Sequence, residues 1–158
     1  MKPKWKRRTL AAGSAAAALA VAVLPLRAAQ AVPPIYQVNL QSDPFLPGYG
    51  TGLVQGEIEF AGKFKFDYDL KVSDLCPRDG LGTSFYFVSE MGDGDTALSG
   101  VRGYDTDGCG NGSIRYQATL QAQRMIKRTR VAQCTTNDGN LCWTVSTKLG
   151  TWKDNPTW

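Results

Sequence analysis

The 158-residue chain carries 18 Lys and Arg against 14 Asp and Glu, and it has no His. Six of the basic residues precede position 32, so the remainder holds 12 basic and 14 acidic groups, a net charge of −2. That balance is unsuited to nucleic acid or acidic membrane surfaces, and the lack of His excludes Ser-His-Asp and Cys-His catalysis.

Lys2, Lys4, Lys6, Arg7 and Arg8 form a basic start, Leu10 to Leu26 an apolar middle, and Ala29-Gln30-Ala31 a small-residue cleavage site. This order is that of a secretory signal over residues 1–31, and it predicts export, with no membrane association once it is cleaved. Arg7-Arg8 followed by Leu10 also fits a twin-arginine signal. Residues 32–158 then form a single secreted, extracellular domain. Its four cysteines, Cys76, Cys109, Cys134 and Cys142, are expected to form two disulfides, because an exported chain with an even cysteine count oxidises them in pairs.

Ile35 to Gln41 reads as a short first strand, with Tyr36, Val38 and Leu40 on one side. Ser42 to Gly52 is a Pro- and Gly-bearing loop; its Gly-Tyr-Gly-Thr-Gly run lacks the Lys and helix of a phosphate loop. From Val54 to Val72 the pattern is sharp. Val54, Ile58, Phe60, Phe64, Phe66, Tyr68, Leu70 and Val72 share one parity, and Glu57, Glu59, Lys63, Lys65, Asp67, Asp69 and Lys71 share the other. Strand side chains alternate faces, so one aromatic-rich face packs on a core and one charged face meets water. The segment is too long for one strand. Parity predicts either a three-residue turn pairing Phe60 with Phe64 or a kink at Gly62.

Cys76-Pro77-Arg78-Asp79-Gly80 is a turn. Thr83 to Met91 is apolar on both faces and predicts a central strand. Gly92 to Gly112, rich in glycine and aspartate, reads as loop, with at most one short strand around Leu98 to Tyr104. Between Ser113 and Gln133 the apolar spacing fits a strand and also one helical face; β-rich neighbours favour the strand, with Lys127-Arg128-Thr129-Arg130 as a basic turn or solvent edge. Val131 to Thr136 and Asn140 to Thr147 flank Asn137-Asp138-Gly139 as a hairpin whose register sets Cys134 opposite Cys142, leaving Cys76 for Cys109. Three connectivities remain formally open. The expected fold is all-β, a mostly antiparallel sandwich or flattened barrel of about seven to nine strands with two disulfides.

Three features bear on function. Glu90, ending the central strand, is the sole candidate acid for carboxylate hydrolysis. Asp105, Asp107 and Asn111, with Asp93 and Asp95 from the preceding loop, space oxygens as a Ca²⁺ loop does, although Cys109 and Tyr116 stand where an EF-hand needs ligands. The same residues make turns without a metal. Trp143, Trp152, Trp158 and Tyr104 are aromatic groups able to stack on sugar rings or anchor a protein. The expectation is a secreted, non-enzymatic binding module for polysaccharide or another surface polymer. The alternative is a protease inhibitor presenting the 134–142 hairpin, with Arg128 or Arg130 as a second contact.

Overall fold

The computed structural model describes residues 33–44, 50–75, 81–106, 112–136 and 147–158, all within a compact unit spanning Val32–Trp158. The segment expected to be a signal, Cys76, Cys109, Cys142, Trp143, Asp107, Asn111 and the turn expected at Asn137-Asp138-Gly139 lie outside the described residues.

Nine strands follow in chain order: β1 (Ile35–Gln41), β2 (Thr51–Phe60), β3 (Lys65–Leu75), β4 (Gly82–Met91), β5 (Thr96–Asp105), β6 (Ile114–Gln121), β7 (Ile126–Thr136), β8 (Lys148–Leu149) and β9 (Lys153–Asp154). No helix occurs among the described residues. The strands form two antiparallel sheets, one ordered β1-β2-β3-β6 and the other β5-β4-β7-β8, with β9 also paired to β7. The arrangement is sandwich-like. Among the described residues each sheet ends on open edges, so the strands do not close into a barrel.

Strand alternation builds the core as the sequence implies. Val54, Ile58, Phe60, Phe66, Leu70 and Val72 face inward from β2 and β3 and are fully buried, with Tyr68 nearly so. They meet Phe85 and Phe87 of the second sheet. Phe66 and Phe87 lie edge to face at 4.9 Å between ring centroids, and Tyr68 contacts both Phe85 and Phe87. Each fully buried ring of this kind contributes about 1.5–3 kcal/mol of transfer free energy, so these rings set the distance between the sheets. β4 lies between β5 and β7 as a central strand should, and its outward-facing Ser84 and Val88 are buried as well.

The β2–β3 connection is a three-residue turn displaced by one position. Phe60 pairs with Phe66, the Ala61 N–H donates to the Lys65 carbonyl at 3.1 Å, and Phe64 stands exposed in the turn instead of in the core. Both odd-length turns preserve the facing of every core side chain, so parity alone does not choose between them. Within β2, Gly56 has φ +142°, and a Cβ there would overlap the Asp69 carbonyl oxygen of β3. Only glycine allows this backbone shape and this approach.

Four other expectations are changed or made finer. The segment read as loop contains β5, a ten-residue edge strand whose Gly100 has φ +71° and whose pairing with β4 shifts register twice. Such bulges account for glycines that look like loop in the sequence. The 113–133 segment is strand, as its neighbours favoured, but it is divided between two strands in different sheets, β6 and β7. Lys127 to Arg130 lie inside β7, with Thr129 fully buried and its hydroxyl 3.0 Å from that of Ser89. On the free edge of β7, Ala132 and Gln133 pair with Leu149 and Lys148, so the hairpin register expected for Val131 to Thr136 does not extend to them.

Two ends of the sandwich differ. β1, β3, β5 and β7 all end toward one end of the sandwich, with Cys134 near the last β7 pairs. The opposite end is closed by turns that hydrogen-bond to one another: Ala122 N–H to the Phe64 carbonyl at 2.8 Å, and Ile126 N–H to the Lys63 carbonyl at 2.7 Å. Asn155 fastens the chain end there. Its amide donates to the carbonyls of Gly62 at 3.1 Å and Ile126 at 2.8 Å, and its oxygen accepts from the Thr157 N–H and hydroxyl.

Candidate binding surface

Antiparallel register turns the outward face of the four-stranded sheet into an ordered polar lattice. Asn39, Gln55, Lys71 and Arg115 stand side by side across β1, β2, β3 and β6. Next come Gln37, Glu57, Asp69 and Gln117, and then Ile35, Glu59, Asp67 and Thr119. Two carboxylate pairs, Glu57 with Asp69 and Glu59 with Asp67, therefore sit directly opposite each other. Like charges so placed repel, and donors from the flanking strands offset this. Gln37 donates to Glu57 at 2.9 Å, Arg115 grips Asp69 through both Nε (2.7 Å) and Nη2, and the Thr119 hydroxyl donates to Asp67. The Arg115 hydrogen bond holds the Asp69 carboxyl below its ordinary pKa, against partial desolvation that acts the other way.

Two shallow depressions that share Glu57 and Asp69 occupy this lattice. One, of about 320 Å³, lies over Glu59, Asp67, Gln117 and Thr119; the other, of about 490 Å³, lies over Gln37, Gln55, Gly56, Lys71 and Arg115. Carboxylates accept hydrogen bonds, Arg and Lys donate them, and the amides do both. Hydroxyl groups, which donate and accept, fit such a surface. The lattice spacing keeps the carboxylates from converging on one point. Among the described residues, no group of three or more His, Cys, Asp or Glu could hold a metal ion.

The residues singled out in the sequence are dispersed. Asp93 and Asp95 both bind Arg124, at 2.6 and 2.7 Å, and Asp93 is held below its ordinary pKa by the Asp95 N–H first and by Arg124 second. Asp105 is buried at the far end of β5, where its Oδ2 accepts from the Asp74 N–H at 3.3 Å. A ten-residue strand extends roughly 30 Å, so the structure does not bring Asp93 and Asp95 to Asp105. Glu90 accepts from Lys127 at 2.7 Å and from Arg128 Nε at 2.6 Å. The bulge opposite Glu90 and Met91 inserts Lys127 as an extra residue, which lets both cations reach one carboxylate. These hydrogen bonds push the Glu90 pKa down, whereas a general acid needs it raised.

The aromatic candidates separate too. Trp152 stacks on the guanidinium groups of Arg128 and Arg130, 4.6 and 4.2 Å from the ring centroid, so π surface that a sugar would use is already engaged. Trp158 is 52% exposed and packs its ring edge over Gly92. Tyr104 is exposed on β5, where its carbonyl accepts from the Tyr116 hydroxyl at 2.6 Å.

Parity had already marked Glu57, Glu59, Asp67 and Asp69 as one wet face. It could not supply Gln37, Asn39, Arg115, Gln117 and Thr119, which join that face only through the pairing of β1 and β6 with β2 and β3. The chain matches no protein-family model, no curated protein and no solved structure.

Proposed function

We propose that this chain is an exported, non-enzymatic binding domain that takes a neutral or amino-bearing polysaccharide on the outward face of its four-stranded sheet. The observation that carries this reading is the lattice itself: two consecutive rows of hydrogen-bonding side chains cross all four strands and a third crosses β2, β3 and β6, with donors and acceptors interleaved. Its carboxylates and the net charge of −2 beyond residue 31 favour neutral or cationic sugars over uronate or sulfated ones. Two disulfides, Cys134 with Cys142 and Cys76 with Cys109, would brace the opposite, loop-bearing end in this reading.

Affinity electrophoresis through a panel of neutral, amino-bearing and acidic polysaccharides tests it. Retardation by a neutral or amino-bearing member is expected, and the paired substitution Glu57→Ala, Asp67→Ala should weaken it roughly tenfold or more, since hydrogen bonds to charged groups carry about 1.5–3 kcal/mol. Trp152→Ala should leave it unchanged. No retardation by any polymer overturns the proposal; loss on Trp152→Ala with retention in the Glu57, Asp67 pair moves the site to the tryptophan.

A further inference from the structure

Five strands border the two sheets, and four of them are guarded. β5 is bulged, β8 and β9 are two residues each, and the β1 edge is bordered by the C-terminal segment, with the Tyr36 hydroxyl donating to the Asp154 carbonyl at 2.5 Å. β6 has no such guard. Its eight residues, Ile-Arg-Tyr-Gln-Ala-Thr-Leu-Gln, contain no Pro, no Gly and one charge, pair with β3 without a register shift, and have no strand on their other side among the described residues. That is the composition of a strand that accepts another strand.

We propose that the partner is a second copy of this chain, joined β6 to β6 in antiparallel two-fold pairing centred on Gln117. In this register Gln117 meets itself, and amide faces amide. Ile114 falls opposite the second copy's Leu120, Tyr116 opposite its Ala118, and Arg115 opposite its Thr119. Thr119 is hydrogen-bonded to Asp67, so the arrangement brings Arg115 toward the carboxylate row of the other copy. Apolar groups match as well. Ile114 is 39% and Leu98 67% exposed, and a hollow of about 330 Å³ lined by Leu98, Leu120 and Ala122 opens beside the Leu120 end of β6. Two-fold pairing delivers each copy's Ile114 to the hollow of the other, the reciprocal match that a closed dimer requires. The product is one eight-stranded sheet carrying the polar lattice of both copies on a continuous face.

Sedimentation velocity of the oxidised chain lacking residues 1–31 tests this. The unsubstituted protein should sediment as a dimer at high concentration. Gln117→Lys and Gln117→Glu each place like charges face to face at the symmetry axis and should weaken association by about tenfold or more, with a melting temperature unchanged at dilutions where the unsubstituted protein is also monomeric. An equimolar mixture of the two variants should recover the dimer. A monomer at every soluble concentration overturns the proposal, and so does a dimer indifferent to both substitutions. Recovery in the mixture is the outcome that a merely destabilised strand would not produce. The readout is hydrodynamic, so loss of the dimer and loss of polysaccharide retention are separate results.

Discussion

Replacing Asn155 with Ala removes four side-chain hydrogen bonds at once: two donated to Gly62 and Ile126, and two accepted from Thr157. Asn155 is only 4% exposed, so the loss is not simply returned to water. At about 1 kcal/mol for each of the two donated bonds, and about half that for the two near the chain end, the cost is roughly 3 kcal/mol. For a domain of this size that corresponds to a melting temperature lower by about 10 °C. Differential scanning calorimetry reads it directly. Asn155→Asp sharpens the test, because it keeps the acceptor for Thr157 but sets an oxygen against two carbonyls. Its deficit should be at least as large at neutral pH and should shrink on acidification, as the carboxyl takes up a proton and becomes a donor. A melting temperature within about 2 °C of the parent for Asn155→Ala would show that water replaces the amide without cost, and would refute the assignment of this residue as the fastening of that end.

Gly56→Ala should destabilise by about 2–4 kcal/mol in urea unfolding, since the new Cβ collides with backbone and φ is positive; a change under about 0.5 kcal/mol would mean that β2 relaxes freely there. Acid should also weaken the fold. Asp69, Glu90 and Asp93 all have pKa values lowered in the folded state, so their contribution is present above the ordinary carboxylate range and is lost as pH falls through the folded values. The urea midpoint should hold from neutrality to about pH 5 and decline below about pH 4, less steeply in Glu90→Gln; a midpoint that rises on acidification contradicts this. Trp152→Ala should cost about 1–2 kcal/mol by removing two guanidinium contacts, with faster amide exchange confined to β9 and its partners Arg128 and Thr129. Uniform exchange across both sheets would refute that local role.

The central hairpin was legible because its side chains obey one parity over nineteen residues, and a wet face and a core face follow from that alone. What parity leaves open, the structure decides. Phe64 left the core because both turn placements preserve facing. β5 was hidden because bulges admit the glycines that also make loops, and the break between β6 and β7 because Ala122 to Arg124 carry no Pro or Gly. Lys127 to Arg130 read as a solvent turn until their partners appeared: Glu90 for two of the cations, Trp152 for the stacked pair, and the hydroxyl of Ser89 for the threonine between them. Asn155 reads in the sequence only as part of an Asn-Pro tail closure, since a buried amide is recognised through carbonyls distant in sequence, here Gly62 and Ile126.

The hydrogen bond from Tyr36 to Asp154 joins positions 118 residues apart, and Asn155 then closes the turn end against Gly62 and Ile126. The first strand and β9 are thus tied together across most of the domain's sequence. Contacts of such wide sequence separation carry a large loop-closure cost, so sealing this end of the sandwich belongs to the slow, non-local part of folding.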